Sequence, residues 1–387
     1  MLFKSSVKSL PQSVGKNSPP PETAWAVRGR GWIYTRQLAQ YPRHVDYISR
    51  IELTAARQAL PRAGRLLDLG AGTGRIASLM ARGHAGELIA LDPSASMLEQ
   101  IDRRGATCPV RAVVGMSMDS LPFASQSFDG AYSFGVLNRF RDWRPLLRPV
   151  ASVLKPNGVA VFNNRSLDSI IAWGGLEPDS GFFRSADLDD EMRGMGLQVT
   201  SVLATPLLVP SMLLVQWAAP GTPIRPVMVF AMRNVLEAQI AALSDIEKWV
   251  EFEMRLAALL PAMAALQVIV VARVGSSDDR MTRREPINPS AAIRHLFAEP
   301  DVAELLREPA MLRLLLLLRP LLRRICGEDI VAAVFGRRKS EMDEAVRHMH
   351  AALEPSGLYD ARMRLQKMKM DIYAKGIGLA IRLGRLI

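Results

Sequence analysis

Arg65-Leu-Leu-Asp68-Leu-Gly70-Ala-Gly72-Thr-Gly74-Arg75 joins an apolar run to an acid and then to three glycines alternating with small residues. Such a run predicts a buried parallel strand that enters a tight turn and then a helix. Glycine tolerates positive φ and puts no side chain between the backbone and a bound molecule. A helix starting near Gly74 would aim its free N–H groups at that molecule. The loop therefore suits a nucleotide-like or amino-acid-like ligand.

The third glycine narrows the choice. A dinucleotide-binding turn has the pattern G-x-G-x-x-G, with glycine where Arg75 stands. No Gly-Lys-Ser/Thr follows the turn, which excludes a Walker phosphate loop. A second predicted strand, Glu87-Leu-Ile-Ala-Leu-Asp92, ends in another acid. A carboxylate there stands at the carboxyl end of the neighbouring strand, where it can accept both hydroxyls of a ribose.

Three further segments follow in order. They are Val113-Val-Gly115-Met-Ser117-Met118-Asp119-Ser-Leu121-Pro122-Phe123, then Phe128-Asp129-Gly-Ala-Tyr-Ser133-Phe-Gly-Val136-Leu137-Asn138, then Leu154-Lys155-Pro156-Asn157-Gly158. With the first two strands they cover about residues 64–163. Together they resemble the class I S-adenosylmethionine-dependent methyltransferases, most nearly the subgroup that includes the ubiquinone and menaquinone methyltransferases. The resemblance implies an α/β fold: a Rossmann-like, mostly parallel sheet with an antiparallel strand seven. It also implies S-adenosyl-L-methionine as cofactor.

By the same resemblance, Asp68 and the backbone at Gly70, Gly72 and Gly74 hold the methionine end, and Asp92 takes the ribose hydroxyls. Ser117 and Met118 flank the adenine, and Ser133 lies beside the donor methyl. Asn138 and Arg139 are the candidate catalytic positions, as contacts that orient the acceptor, with Asn163 or Asn164 behind them. Two departures stand out. Ser117 occupies the place of the Asp that usually receives the adenine amino group, unless a longer turn brings Asp119 there. Asn138-Arg139 replaces paired histidines, which removes a candidate general base.

At 387 residues the chain exceeds one such domain. Residues 1–22 read as a basic disordered tail, 23–275 as the methyltransferase domain with an insertion at about 205–265, and 276–387 as a helical C-terminal extension. The net charge of +11 points to anionic partners without choosing among them. Cys108 and Cys326 are far apart and lack metal-ligand spacing, so no metal site is expected and a reducing, cytoplasmic setting fits. Cys108 reads as an inert buried thiol.

Pro42 to Ala59 predicts a helix ahead of the glycine loop. Its Tyr47 reads as a half-buried residue of an amphipathic face, while Tyr34, Tyr41 and His44 are left open as parts of a lid. Arg184–Met195 predicts a helix, Leu197–Ala204 strand six, and Gln267 onward strand seven. Between those strands, Gly194–Ile224 carries no Asp, Glu, Lys or Arg but is broken by prolines, so it suits a pocket roof or a packing surface and not a membrane span.

In 361–387, Arg364, Lys367, Asp371, Lys375, Arg382 and Arg385 share one narrow helical face beside a wide apolar one. That is the pattern of a helix in a lipid interface, and equally of a terminal helix docked on a core. The resulting expectation is a methyltransferase for a small-molecule or lipid- or glycan-linked acceptor, peripheral to an anionic membrane surface through 361–387. Two alternatives remain open: a nucleic-acid methyltransferase, and a non-catalytic cofactor-binding scaffold. The segment after strand four lacks the Asn/Asp-Pro-Pro-aromatic pattern that receives a flipped base, which argues against the first. The sequence does not set an oligomeric state.

Overall fold

The computed structural model describes residues 30–115, 120–140, 142–168, 182–207, 237, 240, 241, 243–261, 265, 267–275, 289–308, 311, 322, 323 and 327. The chain divides into two compact units, 1–302 and 303–387. The sheet lies in the first. The adenine-side residues Ser117 and Met118, the apolar stretch beyond Leu207 to residue 236, and the terminal segment 361–387 lie outside the described residues.

Two helices, α1 (Arg30–Leu38) and α2 (Pro42–Ala59), precede the sheet. Then β1 (Ala63–Leu69), α3 (Arg75–Met80), β2 (Ala85–Asp92), α4 (Ala95–Leu98) and β3 (Val110–Val114) alternate at βαβ spacing. β4 (Phe128–Ser133), a 3-10 turn (Leu137–Arg139), α5 (Arg144–Val153) and β5 (Leu154–Arg165) complete the central part. α6 (Ser185–Gly194), β6 (Leu197–Leu203), α7 (Ile246–Ala257), β7 (Gln267–Val274), α8 (Pro289–Ala298) and α9 (Pro300–Leu305) follow.

The seven strands form one sheet in the order β3-β2-β1-β4-β5-β7-β6. β7 runs antiparallel to β5 and β6, and the other neighbouring pairs are parallel. From β1 the chain steps outward to β2 and β3, then returns to β4 on the other side of β1. The order therefore reverses between β1 and β4, and a crevice opens there beyond the carboxyl ends of the strands.

Burial explains why these segments are strands. Leu66, Leu67 and Leu69 of β1, Leu88 to Leu91 of β2, and Val161 and Phe162 of β5 are all buried, as strands covered on both faces require. Leu154-Lys155-Pro156-Asn157-Gly158 forms the irregular start of β5 itself. Leu154 already pairs with Phe128, the register shifts before Gly130 meets Val159, and Asn157 absorbs the irregularity at φ 62.

Two contacts place the N-terminal helices over the crevice side. Gly31 of α1 packs directly on α4, where a Cβ would come within 2.0 Å of the Ser96 carbonyl oxygen. α2 packs on α3 and on α7. Tyr47 is fully buried, not half-buried as its helical face suggested, because α7 covers it and supplies a polar partner. Its hydroxyl donates to Glu253 Oε2 at 2.6 Å. Trp249 Nε1, Thr205 Oγ1 and the Leu207 N–H also donate to that carboxyl group, at 2.9, 2.8 and 2.6 Å. Glu253 thus ties α2, α7 and the chain beyond β6 together. Burial raises its pKa against the effect of these four donors.

Candidate functional site

The glycine loop folds as a series of left-handed turns. Gly70, Gly72 and Gly74 have φ of 75, 55 and 76°, a region in which a side chain is strained. The Gly70 and Ala71 N–H groups donate to Leu91 O of β2 at 2.8 and 3.0 Å. The Gly72 N–H donates to Asp92 Oδ2 at 2.9 Å. Ser94 N–H donates to the other oxygen, Asp92 Oδ1, also at 2.9 Å. Each oxygen of Asp92 therefore has one backbone donor and one lone pair to spare, as acceptance of two neighbouring hydroxyls requires.

The crevice is lined on one side by Tyr34, Asp68, Gly70 to Thr73, Arg75, Ile76, Asp92, Pro93 and Met97, and on the other by Phe134 to Val136, Arg139 and Phe140. Of the residues expected from the sequence, it brings together Asp68, Gly70, Gly72, Asp92 and Arg139. Gly74 stands behind the loop, where a Cβ would strike Ile101 at 2.6 Å. Ser133 is buried and its hydroxyl donates to Leu69 O at 2.8 Å, so it clasps β4 to β1. Asn138 does not line the crevice, and its buried Oδ1 has no hydrogen-bond partner among the described residues.

Asp68 is buried at the end of β1, opposite Tyr132 of β4. Burial pushes its pKa up to about 8, aided by the charges of Asp92 and Glu52 and opposed by Tyr132 and Arg75. Burial also raises the pKa of Asp92, against the two N–H donors. Two carboxyl groups whose pKa values burial raises, side by side in one crevice, mark it as a candidate binding site.

A polar relay runs beneath the crevice. Arg75 Nη2 donates to Glu52 Oε2 at 2.5 Å and its Nη1 to Ser49 Oγ at 2.9 Å. The other oxygen, Glu52 Oε1, accepts from Asn163 Nδ2 at 2.7 Å. Asn163 Oδ1 in turn accepts the Gly135 N–H at 2.7 Å. Four segments distant in sequence are thereby joined: α2, the start of α3, the end of β5 and the loop after β4. Sequence reasoning singled out Asn163 but missed Glu52. The signal was a carboxylate on the apolar side of α2 and an arginine directly after the third glycine.

The residues present fit S-adenosylmethionine. Asp68 offers a carboxyl group to an ammonium, and Asp92 offers two acceptors to a diol. Pro93 and Met97 give an apolar wall, and Gly70 leaves open a space that a Cβ, 2.5 Å from Val136 Cγ2, would fill. Cys108 is buried, and burial raises its thiol pKa, as for an unreactive thiol. Among the described residues no group of His, Cys, Asp and Glu is arranged to hold a metal ion.

Residues 67–162 match a family model described as a methyltransferase domain. The O-methyltransferase rstn1 of Aspergillus nomiae is 33% identical over 112 residues, which is 28% of this chain and 49% of that protein. The ubiquinone/menaquinone biosynthesis C-methyltransferase UbiE of Desulfotalea psychrophila is 39% identical over 108 residues, 27% of this chain and 43% of that one. The malonyl-[acyl-carrier protein] O-methyltransferase of Halorhodospira halophila is 29% identical over 131 residues, 33% and 44% of the two chains. The chain spans less than half the length of these relatives. Residues 67–162 are a methyltransferase domain, and the sheet that contains them is that of the class I S-adenosylmethionine-dependent methyltransferases.

Proposed function

We propose that this protein transfers a methyl group from S-adenosylmethionine to an oxygen or carbon of a small-molecule acceptor. The observation that carries this reading is the crevice at the β1/β4 reversal, where Asp92, held by Gly72 and Ser94, stands beside the Gly70 turn and faces Phe134 to Val136. The cofactor supplies an electrophilic methyl on a sulfonium. The protein is then asked mainly to hold a nucleophile in line with it and to exclude water. Phe134, Val136 and Phe140 supply an apolar wall for the acceptor. Arg139 lines that wall and orients the acceptor without removing its proton.

The test is turnover: full-length protein, S-adenosylmethionine labelled in the methyl group, and a panel of phenolic, quinol and carboxylic acceptors. Label in an extractable product supports the reading. Tight binding of S-adenosylhomocysteine without turnover on any acceptor, or in a cell extract, would favour the scaffold alternative.

The acceptor is met at an anionic membrane surface on the cytoplasmic side. The basic face of 361–387 and the uncharged Gly194–Ile224 stretch support this. No helix of the described residues is long and apolar enough to cross a membrane. Flotation with acidic and with neutral liposomes, comparing the full chain with a form ending at Asp360, decides it. Equal flotation of both forms, or none, sinks the membrane role.

A further inference from the structure

Two of the residues that line the crevice are cationic, Arg75 and Arg139. They stand on opposite walls. Arg139 comes from the 3-10 turn after β4. Arg75 is the first residue of α3 and follows the glycine loop directly, while Asp68 precedes that loop at the end of β1. Asp68 and Arg75 therefore line one wall from the two ends of a single short turn.

The Arg75 guanidinium is held from behind. Its Nη2 donates to Glu52 Oε2 at 2.5 Å and its Nη1 to Ser49 Oγ at 2.9 Å, and Asn163 fixes the other oxygen of Glu52. A guanidinium has five N–H donors in a planar fork. Those two bonds leave Nε and part of the terminal edge without a hydrogen-bond partner among the described residues. The Arg75 side chain is 23% exposed and Glu52 only 4%, so the ion pair opens on its arginine side.

An α-amino acid carries its ammonium and its carboxylate on one carbon. A site for it needs an acidic acceptor and a strong donor side by side, and arginine is the donor whose fork matches a carboxylate. Among the described residues that line the crevice, only Asp68 and Arg75 supply that combination on one wall. Burial raises the Asp68 pKa and the charge of Arg75 opposes it, as for two groups facing one cavity.

We propose that Arg75 binds the carboxylate of the cofactor's methionine end while Asp68 takes its ammonium, with the guanidinium bridging Glu52 and the ligand. This rests on the methyltransferase reading above. The site is then selective for an intact amino-acid end, and Glu52 is a positioning residue for the cofactor through Arg75.

The test is calorimetry on the full-length protein with S-adenosylhomocysteine and with its decarboxylated analogue, which keeps the ammonium, the ribose and the base. The wild-type protein is expected to bind S-adenosylhomocysteine about tenfold or more tighter than the analogue. In Arg75→Gln an amide replaces the cation and can still donate to Glu52. There the two ligands should bind within about threefold of each other, because S-adenosylhomocysteine loses a charge-assisted bond that the analogue never made. A merely structural arginine would weaken both ligands together and leave their ratio at the wild-type value. That outcome, or equal binding of the two ligands by the wild-type protein, overturns the proposal. Should Arg75→Gln not fold, Arg75→Lys decides, since it keeps a charge opposite Glu52. One ammonium cannot bridge two carboxylates along separate edges, so the ratio should fall there too, and a wild-type ratio refutes the bridge. Binding of S-adenosylhomocysteine without preference over the analogue sinks this inference alone. Binding of neither ligand sinks the methyltransferase reading and this inference with it.

Discussion

The two walls of the crevice are built on opposite principles. The donor wall, from β1, β2 and their turns, is acidic and made largely of backbone. Asp92 is held by two N–H groups within a span of 23 residues, Gly72 to Ser94. The wall proposed for the acceptor, from the loop after β4, is apolar and carries Arg139. Its shape depends on a side-chain relay reaching back to Glu52, 111 residues before Asn163. A cofactor common to many enzymes can be held by short local geometry. The acceptor we propose would be held by side chains that only the folded sheet brings together.

The largest expected effect breaks the link between the walls. Glu52→Ala leaves the Arg75 guanidinium buried without its partner and should cost about 3–5 kcal/mol of stability, measured by urea unfolding. A loss below about 1 kcal/mol would mean that the relay is not a structural tie. Next, Asp92→Asn should weaken S-adenosylhomocysteine by about 1.5–3 kcal/mol in calorimetry, because charge-assisted acceptance from Gly72, Ser94 and the diol is lost.

The pH dependence sharpens the donor side. With its pKa raised to about 8, Asp68 holds a proton in the folded, ligand-free protein at neutral pH. The native state then binds more protons than the unfolded one from the ordinary aspartate range up to about pH 8. Its contribution to stability therefore declines as pH rises through that window and is level above it. A bound ammonium favours the carboxylate, so cofactor binding should release a proton and strengthen with pH up to about 8, by at most about tenfold per unit. Asp68→Asn should abolish the affinity slope and flatten the stability slope only in part, because burial also raises the pKa of Asp92 and Glu253. A flat affinity profile in the wild-type protein would place the ammonium elsewhere.

The smallest effect concerns the loop itself. Gly72→Ala places its Cβ 3.4 Å from Met97 Cε, an ordinary contact, so only the left-handed backbone penalty of about 1–2 kcal/mol applies. Gly70→Ala adds a clash 2.5 Å from Val136 Cγ2, across the crevice, and should lose more cofactor affinity than Gly72→Ala. The reverse order would place the ligand against Gly72.

The legible part of this protein was the part with local causes. Alternation of apolar runs with glycine turns specified β1, β2 and β4, and the carboxylates Asp68 and Asp92 follow from ending a buried strand in an acid. β6, β7 and the helices Pro42–Ala59 and Ser185–Gly194 were visible for the same reason: each is a periodic segment between breakers. Ser133 marked the right strand end, but a hydroxyl can turn toward a ligand or a neighbouring carbonyl, and the position of Leu69 O decided it. Tyr47 looked half-buried on its own helix because its cover, α7, comes some 200 residues later.

By itself, then, the sequence determined the sheet, the order of its motifs and the donor carboxylates, since strand burial and turn geometry act between near neighbours. Tertiary structure alone decided which charges are paired. Glu52 meets Arg75 and Asn163, Glu253 gathers four neutral donors, and Arg165 lies over the ring of Phe182. Charge pairing depends on distance and burial, and neither is set until the sheet has closed.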